Sequence, residues 1–321
     1  MTISPGSLIA AEDFNTLQDS VYNILGNGSG QSGYGKSVYS TPVSAGDYIK
    51  ATSWAGLKLD ILSVARHQGI DGISNITGLP TPTPGSDFTA SDFNLFLLAS
   101  TSLSTNKFNL GPGQYSDENL LQPGGSPINQ TRTNSWGGST RPTVTHAFTV
   151  DFGSANTARY FFNAGGSIRL NANLAMGSST SQNRAWTGLL SAIGTVIFNY
   201  GSTSASSGTG SSIGFYNLTT TPQRVFIASG SGSYAIPAYS SNDYTVSVSC
   251  DSATNSTGGA RYLYFTISFN DYHTKTYSYV GTSDAVTGTL TSNVSIRRAS
   301  GTNVNTAAPT ATNTTLLTDG V

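Results

Sequence analysis

One pattern occurs three times in the first hundred residues, and it limits what this part of the chain can become. Residues 6–17, 46–57 and 85–96 each read glycine, two residues, an apolar residue, one residue, alanine, two residues, an aromatic, two residues and a final apolar residue. The copies start 40 and then 39 residues apart. Each runs into a stretch of helical period. In the first, Phe14, Leu17, Val21, Ile24 and Leu25 recur at spacings of three and four, and Trp54, Leu57, Ile61, Val64 and Ala65 repeat this in the second. Phe93, Phe96, Leu97 and Leu103 follow less regularly in the third. Acidic or hydroxyl residues just ahead of each aromatic suit the positive end of a helix. A single copy cannot bury its own apolar stripe, whereas three stacked copies can. The pattern is either a true triplication or three helices of a small bundle that share an entry motif. In both cases residues 1–105 form one helix-rich unit, with Phe14, Leu17, Trp54, Leu57, Phe93 and Phe96 as packing and attachment candidates.

Residues 106–142 are rich in Gly, Pro, Asn and Ser without helical period, which reads as an extended connector. From Thr143 the period changes to two. Strands are expected around Val144–Phe152, at 159–162 and 167–174 as a hairpin, and at 224–228, 244–250, 262–270, 274–280 and 287–297. One helix is expected over residues 184–199, where Trp186, Leu189, Leu190, Ile193 and Ile197 share a face. The fold class is therefore α+β: a helix-rich N-terminal repeat unit, then a mainly β, jelly-roll-like β-sandwich over 143–300 with one helix. Residues 301–321 form a Thr/Asn/Ala-rich extended tail.

In the expected hairpin, Arg159, Tyr160, Phe161 and Phe162 precede Asn163-Ala164-Gly165-Gly166, a sequence of turn chemistry, and Arg169 lies on the second arm. Tyr160 and Phe162 would share one face and Phe161 the other, so that the strand packs on both sides. Arg159 and Arg169 would pair with Asp151 or stack on Tyr. The wording "ARYFFNAGGSIRL" resembles a segment of structural proteins of tailed bacteriophages, found in tails, necks and fibres. The opening "AxDFNxL…GSGQSGYG" is similar to that of cyanophage-type virion proteins. The likeness is looser over residues 140–300. It implies a non-enzymatic virion component of the tail, neck or collar, baseplate or fibre, assembled in the host cytoplasm. It implies as partners other copies of the chain, in threefold or sixfold symmetry, and other tail, neck or baseplate proteins. The alternative is a receptor-binding fibre module that recognises host-surface glycan.

Composition narrows the chemistry. Charged residues make up 10% of the chain, against about 25% in an ordinary soluble domain, and the formal net charge is −1. No polybasic field for nucleic acid exists, and no apolar run long enough for a membrane span. Met1-Thr2-Ile3-Ser4-Pro5 lacks the features of a secretory signal. Cys250 is the one cysteine, so no disulfide forms within the chain, and its alternating surroundings suggest inert packing.

Residues 30–37, Gly-Gln-Ser-Gly-Tyr-Gly-Lys-Ser, match the P-loop pattern. A helix precedes them and Pro42 follows, so the strand and helix that a P-loop needs are missing. The reading is a glycine loop between two repeat units. Asp271 and His273 share a strand face, but two ligands do not define a metal site. No nucleophile elbow occurs, and glutamate occurs only at Glu12 and Glu118, which leaves Asp243 and Asp271 as the pair a glycan hydrolase could use. Tyr234, Tyr239, Tyr244, Tyr262, Tyr264, Tyr272, Tyr277 and Tyr279 suit a core or an interface better than a sugar platform. No catalytic, cofactor or metal residue is assigned.

Overall fold

The three copies become three helices that begin at the same point of the pattern. In the computed structural model, which describes residues 2–137, 143–230, 239–272 and 285–314, α1 spans Ala11–Leu25, α2 Ala51–Gln68 and α4 Ala90–Thr105, with the single turn α3 (Ser74–Thr77) between the last two. Their starts, 11, 51 and 90, keep the offsets of the sequence repeat. Each of the three long helices packs against the other two. All six packing candidates are buried, at 2% exposure or less.

The chain divides into two compact units. The first comprises Met1–Ser116, Arg159–Gly166 and Arg298–Ala307, and the second comprises Asp117–Ala158, Ser167–Arg297 and Ala308–Val321. The core of the first is the inner face of the three helices, to which Tyr34, Ala164, Ala299 and Val304 add.

The second unit is built on two antiparallel sheets. The strands are β1 (Tyr115–Asn119), β2 (Asn129–Arg132), β3 (Thr143–Asp151), β4 (Ser167–Met176), β5 (Thr195–Phe198), β6 (Thr203–Ser204), β7 (Gln223–Ser229), β8 (Asp243–Cys250), β9 (Tyr262–Asn270), β10 (Gly288–Ala299) and β11 (Thr310–Thr314). One sheet runs β1-β10-β4-β5-β6, with β2 also on β10, and the other runs β11-β3-β9-β8-β7. Alternation places one residue in two inward. Val248, Phe265 and Phe148 form one buried row across β8, β9 and β3, and Tyr244, Phe269 and Val144 form another. In the other sheet Ile296, Ile168 and Phe198 form a row across β10, β4 and β5. The coarse class is thus α+β.

Three expectations are corrected. Residues 159–162 are not a strand: α5 covers Ala155–Asn163, so the expected hairpin is a helix, a turn and strand β4. Ser154 starts this helix, its Oγ accepting the Thr157 N–H at 3.1 Å. The aromatic run has strand propensity, but Arg159 and Asn163 stand four apart and reach the same loop from adjacent turns of one helix face, whereas in a strand they would lie about 13 Å apart. Second, the helix expected over 184–199 is α6 (Ser181–Ile193). It ends at Gly194, and Thr195–Phe198 continue as β5. Third, Asp151 is held by Arg261, with two hydrogen bonds of 2.7 and 2.8 Å, and Arg169 faces Asp117 instead; the other alternative, stacking on Tyr, holds for Arg159, which lies 4.8 Å over the Tyr160 ring. The connector contains β1 and β2, and β11 in the tail pairs with β3. The strand expected at 274–280 lies outside the described residues, as do Tyr234, His273, Tyr277 and Tyr279.

Candidate functional site

Each copy enters its helix through the same turn. The N–H of Ser7 donates to Ser4 O, that of Asp47 to Ser44 O and that of Ser86 to Thr83 O, each at 3.1 Å. Gly6, Gly46 and Gly85 occupy the third position with φ of 87°, 89° and 83°. Pro5, Ala45 and Pro84 precede them, which makes the three turns type II and explains the glycine that opens the pattern. The N–H of the aromatic then closes the first helical bond: Phe14 to Ala10 O, Trp54 to Lys50 O and Phe93 to Thr89 O. Asp13 accepts the Ala10 N–H and Asp92 the Thr89 N–H, each at 2.8 Å, as helix caps.

The three rings converge at the start of the bundle. Phe14 meets Trp54 edge-on at 4.9 Å and Phe93 lies 6.1 Å from it, while Phe88 stacks on its face at 3.9 Å. With the entry rings in mutual reach, the three helices run parallel from a common end. There the residues after the turn glycines form an apolar groove lined by Leu8, Ile9, Tyr48, Ile49, Trp54 and Phe88. Leu8 and Tyr48 are 91% and 92% exposed.

The other ends of the helices are closed by the loop 26–36, by residues 107–111 and by α5. Arg159 donates to Ser32 O and, at 2.8 Å, to Asn27 O. Asn163 Nδ2 reaches Gly30 O and Gly33 O at 3.3 and 3.2 Å. Tyr160 lies on Gly35, where a Cβ would come within 2.4 Å of its ring, and Gly35 has φ +70°. Phe161 and Phe162 are fully buried. Gly165 turns at φ 80° against Phe108 and Leu110, and Gly166 donates to Phe161 O at 2.9 Å. Arg169, on β4, lies 3.3 Å from Asp117 in the second unit. The P-loop-like residues therefore turn three carbonyls, and Asn27 before them a fourth, towards a guanidinium and a carboxamide. A phosphate cradle needs the reverse, amides facing an anion. Lys36 Nζ donates to Asn305 O.

The remaining titratable groups have structural surroundings. His67 is fully buried against the Tyr34 ring at 4.8 Å. Burial holds its pKa down at about 4, the backbone of Ala164 opposing this and Lys36 adding to it. His146 is likewise held at about 4, by burial first and by Arg132 second, and its Nδ1 lies 2.7 Å from Ser292 Oγ. Asp271 is buried and accepts from Gln182 Nε2, and Asp243 accepts from Asn270 at 2.6 Å. Burial raises the Cys250 thiol. Among the described residues no group of three metal-ligating side chains forms, and no helix is long and apolar enough to cross a membrane.

The most informative polar residues were missed in the sequence. Asn15 donates to Val43 O at 2.9 Å and accepts the Val43 N–H at 2.8 Å. Asn94 does the same to Ile3, at 3.0 and 3.2 Å. The tripeptide Asp-Phe-Asn at 13–15 and again at 92–94 was the signal. No family model, curated protein or solved structure matches the chain.

Proposed function

We propose that this chain is a non-enzymatic structural component of a bacteriophage virion, of the tail, neck or collar, baseplate or fibre-attachment type. The helical unit docks it to the particle, and the β-rich unit makes contacts between copies. One observation carries the reading: the two stretches that resemble virion proteins include 28–35 and 158–170, and residues 28–35 of the one pack on 159–166 of the other through Arg159, Asn163 and Tyr160. Two words 130 residues apart in the chain are one piece of structure, so their joint occurrence has a physical cause (about 130, from the spacing of Gly33 and Asn163).

The β-rich unit is read as a sandwich of two sheets. In support, His146 of one sheet reaches Ser292 of the other, and Phe198 meets Phe265 edge-on at 5.4 Å. Low charge and sheet edges suit broad contacts between copies, and closed symmetric assembly covers such edges. Mass spectrometry and reconstruction of particles from a phage encoding this chain test the reading. The expected result is several copies related by threefold or sixfold symmetry. Absence from purified particles overturns it.

A receptor-binding module is the second reading. It rests on a shallow groove over β3, β9 and β11 where Tyr264, 40% exposed, stands beside Thr149, Thr266 and Asn313. Aromatic faces and amides of this kind stack on and hydrogen-bond to sugars. Glycan-array binding that is lost in Tyr264→Ala favours this reading over the first.

A further inference from the structure

We infer that the helix-start end of the N-terminal bundle is the docking face, and that it takes a partner protein presenting an apolar side chain within a basic rim. The inference rests on the reading of this unit as the attachment part.

The repeat supplies its own control. Leu8, Tyr48 and Asp87 hold the same place, two residues after the turn glycine. All three are exposed. An aspartate in the third copy means that the entry motif does not need an apolar residue there. Leu8 and Tyr48 are nonetheless almost wholly in solvent, at 91% and 92%. Together with the half-buried Ile9, Ile49 and Phe88 and the buried Trp54 they line one groove. Scattered exposed leucines need no explanation, but two large apolar side chains converging on one apolar groove are how contact surfaces are built.

This unit's own chain leaves that end uncovered: residues 107–111 and Asn305 pack at the opposite ends of the helices. Gly111 donates to His67 O at 2.8 Å, Tyr34 Oη to Lys107 O at 2.6 Å, and Lys36 to Asn305 O. Nothing among the described residues covers Leu8 or Tyr48.

Charge selects the occupant. Asp47 lines the groove, and Glu12, Asp13, Asp87 and Asp92 stand in the same entry turns and first helical turns, where Lys50 is the one cation among the described residues. Asp13 and Asp92 offset the positive ends of their helices as caps. Glu12, Asp47 and Asp87 remain as exposed, unspent negative charge. A second copy would set these carboxylates against their own kind, and a nucleic acid or an anionic membrane would be repelled. A protein face with an apolar anchor between lysines or arginines satisfies both the groove and its rim.

The test uses the full chain and a fluorescent peptide, Lys-Lys-Leu-Phe-Leu-Lys-Lys, with a Glu-flanked twin, read by anisotropy. The Lys peptide is expected to bind at least about tenfold more tightly than its twin and to weaken with salt. The double variant Leu8→Ser/Tyr48→Ser, polar where the third copy is polar, is expected to lose about tenfold in affinity while melting as wild type. Asp47→Lys/Asp87→Lys is expected to reverse the preference between the peptides. Equal binding of both peptides, or unchanged binding by the double variant, overturns the inference. So does a dimer that Leu8→Ser/Tyr48→Ser dissociates, or binding to phosphatidylserine vesicles through the same residues. Particle incorporation separates the two readings. If Leu8→Ser/Tyr48→Ser enters particles as wild type does, the docking face is wrong and the virion role stands. If no particle contains the chain yet peptide binding follows the pattern above, the virion role is wrong and the face stands.

Discussion

Asn94 holds the peptide of Ile3 at both ends, accepting its N–H at 3.2 Å and donating to its carbonyl at 3.0 Å, across 91 residues of chain. Asn15 holds Val43 in the same way. The first copy therefore clamps the approach to the second, and the third clamps the approach to the first. By the repeat offsets, the missing link from second to third would join position 55 to position 82. Those residues are Ala55, which has no carboxamide, and Pro82, which has no N–H. The two absences belong together, and the arrangement is a ring of three with one clasp undone.

The clamps are expected to matter one at a time. Asn15→Ala or Asn94→Ala removes two hydrogen bonds and leaves a half-buried peptide unpaired, at a cost of about 1–3 kcal/mol. Ala55→Asn combined with Pro82→Val supplies the third clasp and is expected to stabilise by about 1 kcal/mol. Urea unfolding of the three variants measures this. Wild-type midpoints in both Asn→Ala variants would show that the clamps carry no stability.

The convergent rings give a larger effect. Trp54 touches Phe14, Phe88, Phe93 and Phe96 and is 2% exposed. Phe14→Ala, Trp54→Ala and Phe93→Ala are each expected to cost about 3–5 kcal/mol, because each empties a ring-sized volume that neighbours cannot refill. Calorimetry of the full chain reads the loss. Wild-type melting in all three would remove the three-copy core.

What the sequence disclosed follows from what each period encodes. Phe14, Trp54 and Phe93 were legible because a helical stripe repeats within a few residues and the three copies reinforce one another. Strands β3, β8, β9 and β10 were legible because alternation is equally local. Residues 159–162 were not, since Tyr-Phe-Phe suits a strand by propensity. What decides for a helix is the Ser154 cap together with carbonyls of residues 27–33, far away in the chain. Asn15 and Asn94 are marked in the sequence only by the repeated Asp-Phe-Asn, which does not say what either side chain holds. The partner of each is a backbone, which has no signature in sequence.

The packing of α5 on the glycine loop is testable from both sides. Arg159→Ala removes the hydrogen bonds to the carbonyls of Asn27 and Ser32, and Asn163→Ala removes those to Gly30 and Gly33. Each is expected to cost about 1–3 kcal/mol. Gly35→Ala is expected to cost more than either, because φ of +70° disfavours any side chain and the new Cβ would meet the Tyr160 ring. Hydrogen exchange at residues 27–35 should rise in all three. Unchanged protection there would mean that α5 does not hold the loop.

Stability is expected to fall with acid before the carboxylates titrate. His67 and His146 have pKa values near 4 in the folded chain, against an ordinary value of 6.5. A histidine depressed on folding binds its proton in the unfolded chain first, so stability is full above pH 6.5 and is lost as pH falls towards 4. Within that window each contributes a slope approaching about 1.4 kcal/mol per pH unit. Asp117 and Asp151 are lowered by Arg297 and Arg261, and their contribution is lost only below the ordinary carboxylate value, outside the window. Both are surface pairs, so their share is small. Urea unfolding between pH 4.5 and 7.5 (about the range in which histidine decides) should show this slope. His67→Gln and His146→Gln should each remove their part of it, whatever they cost at pH 7.5. The two histidines lie in different compact units, so if the units unfold separately each variant should flatten one transition and leave the other unchanged. A pH-independent midpoint across the window in the wild-type chain would show that neither ring is held neutral by burial.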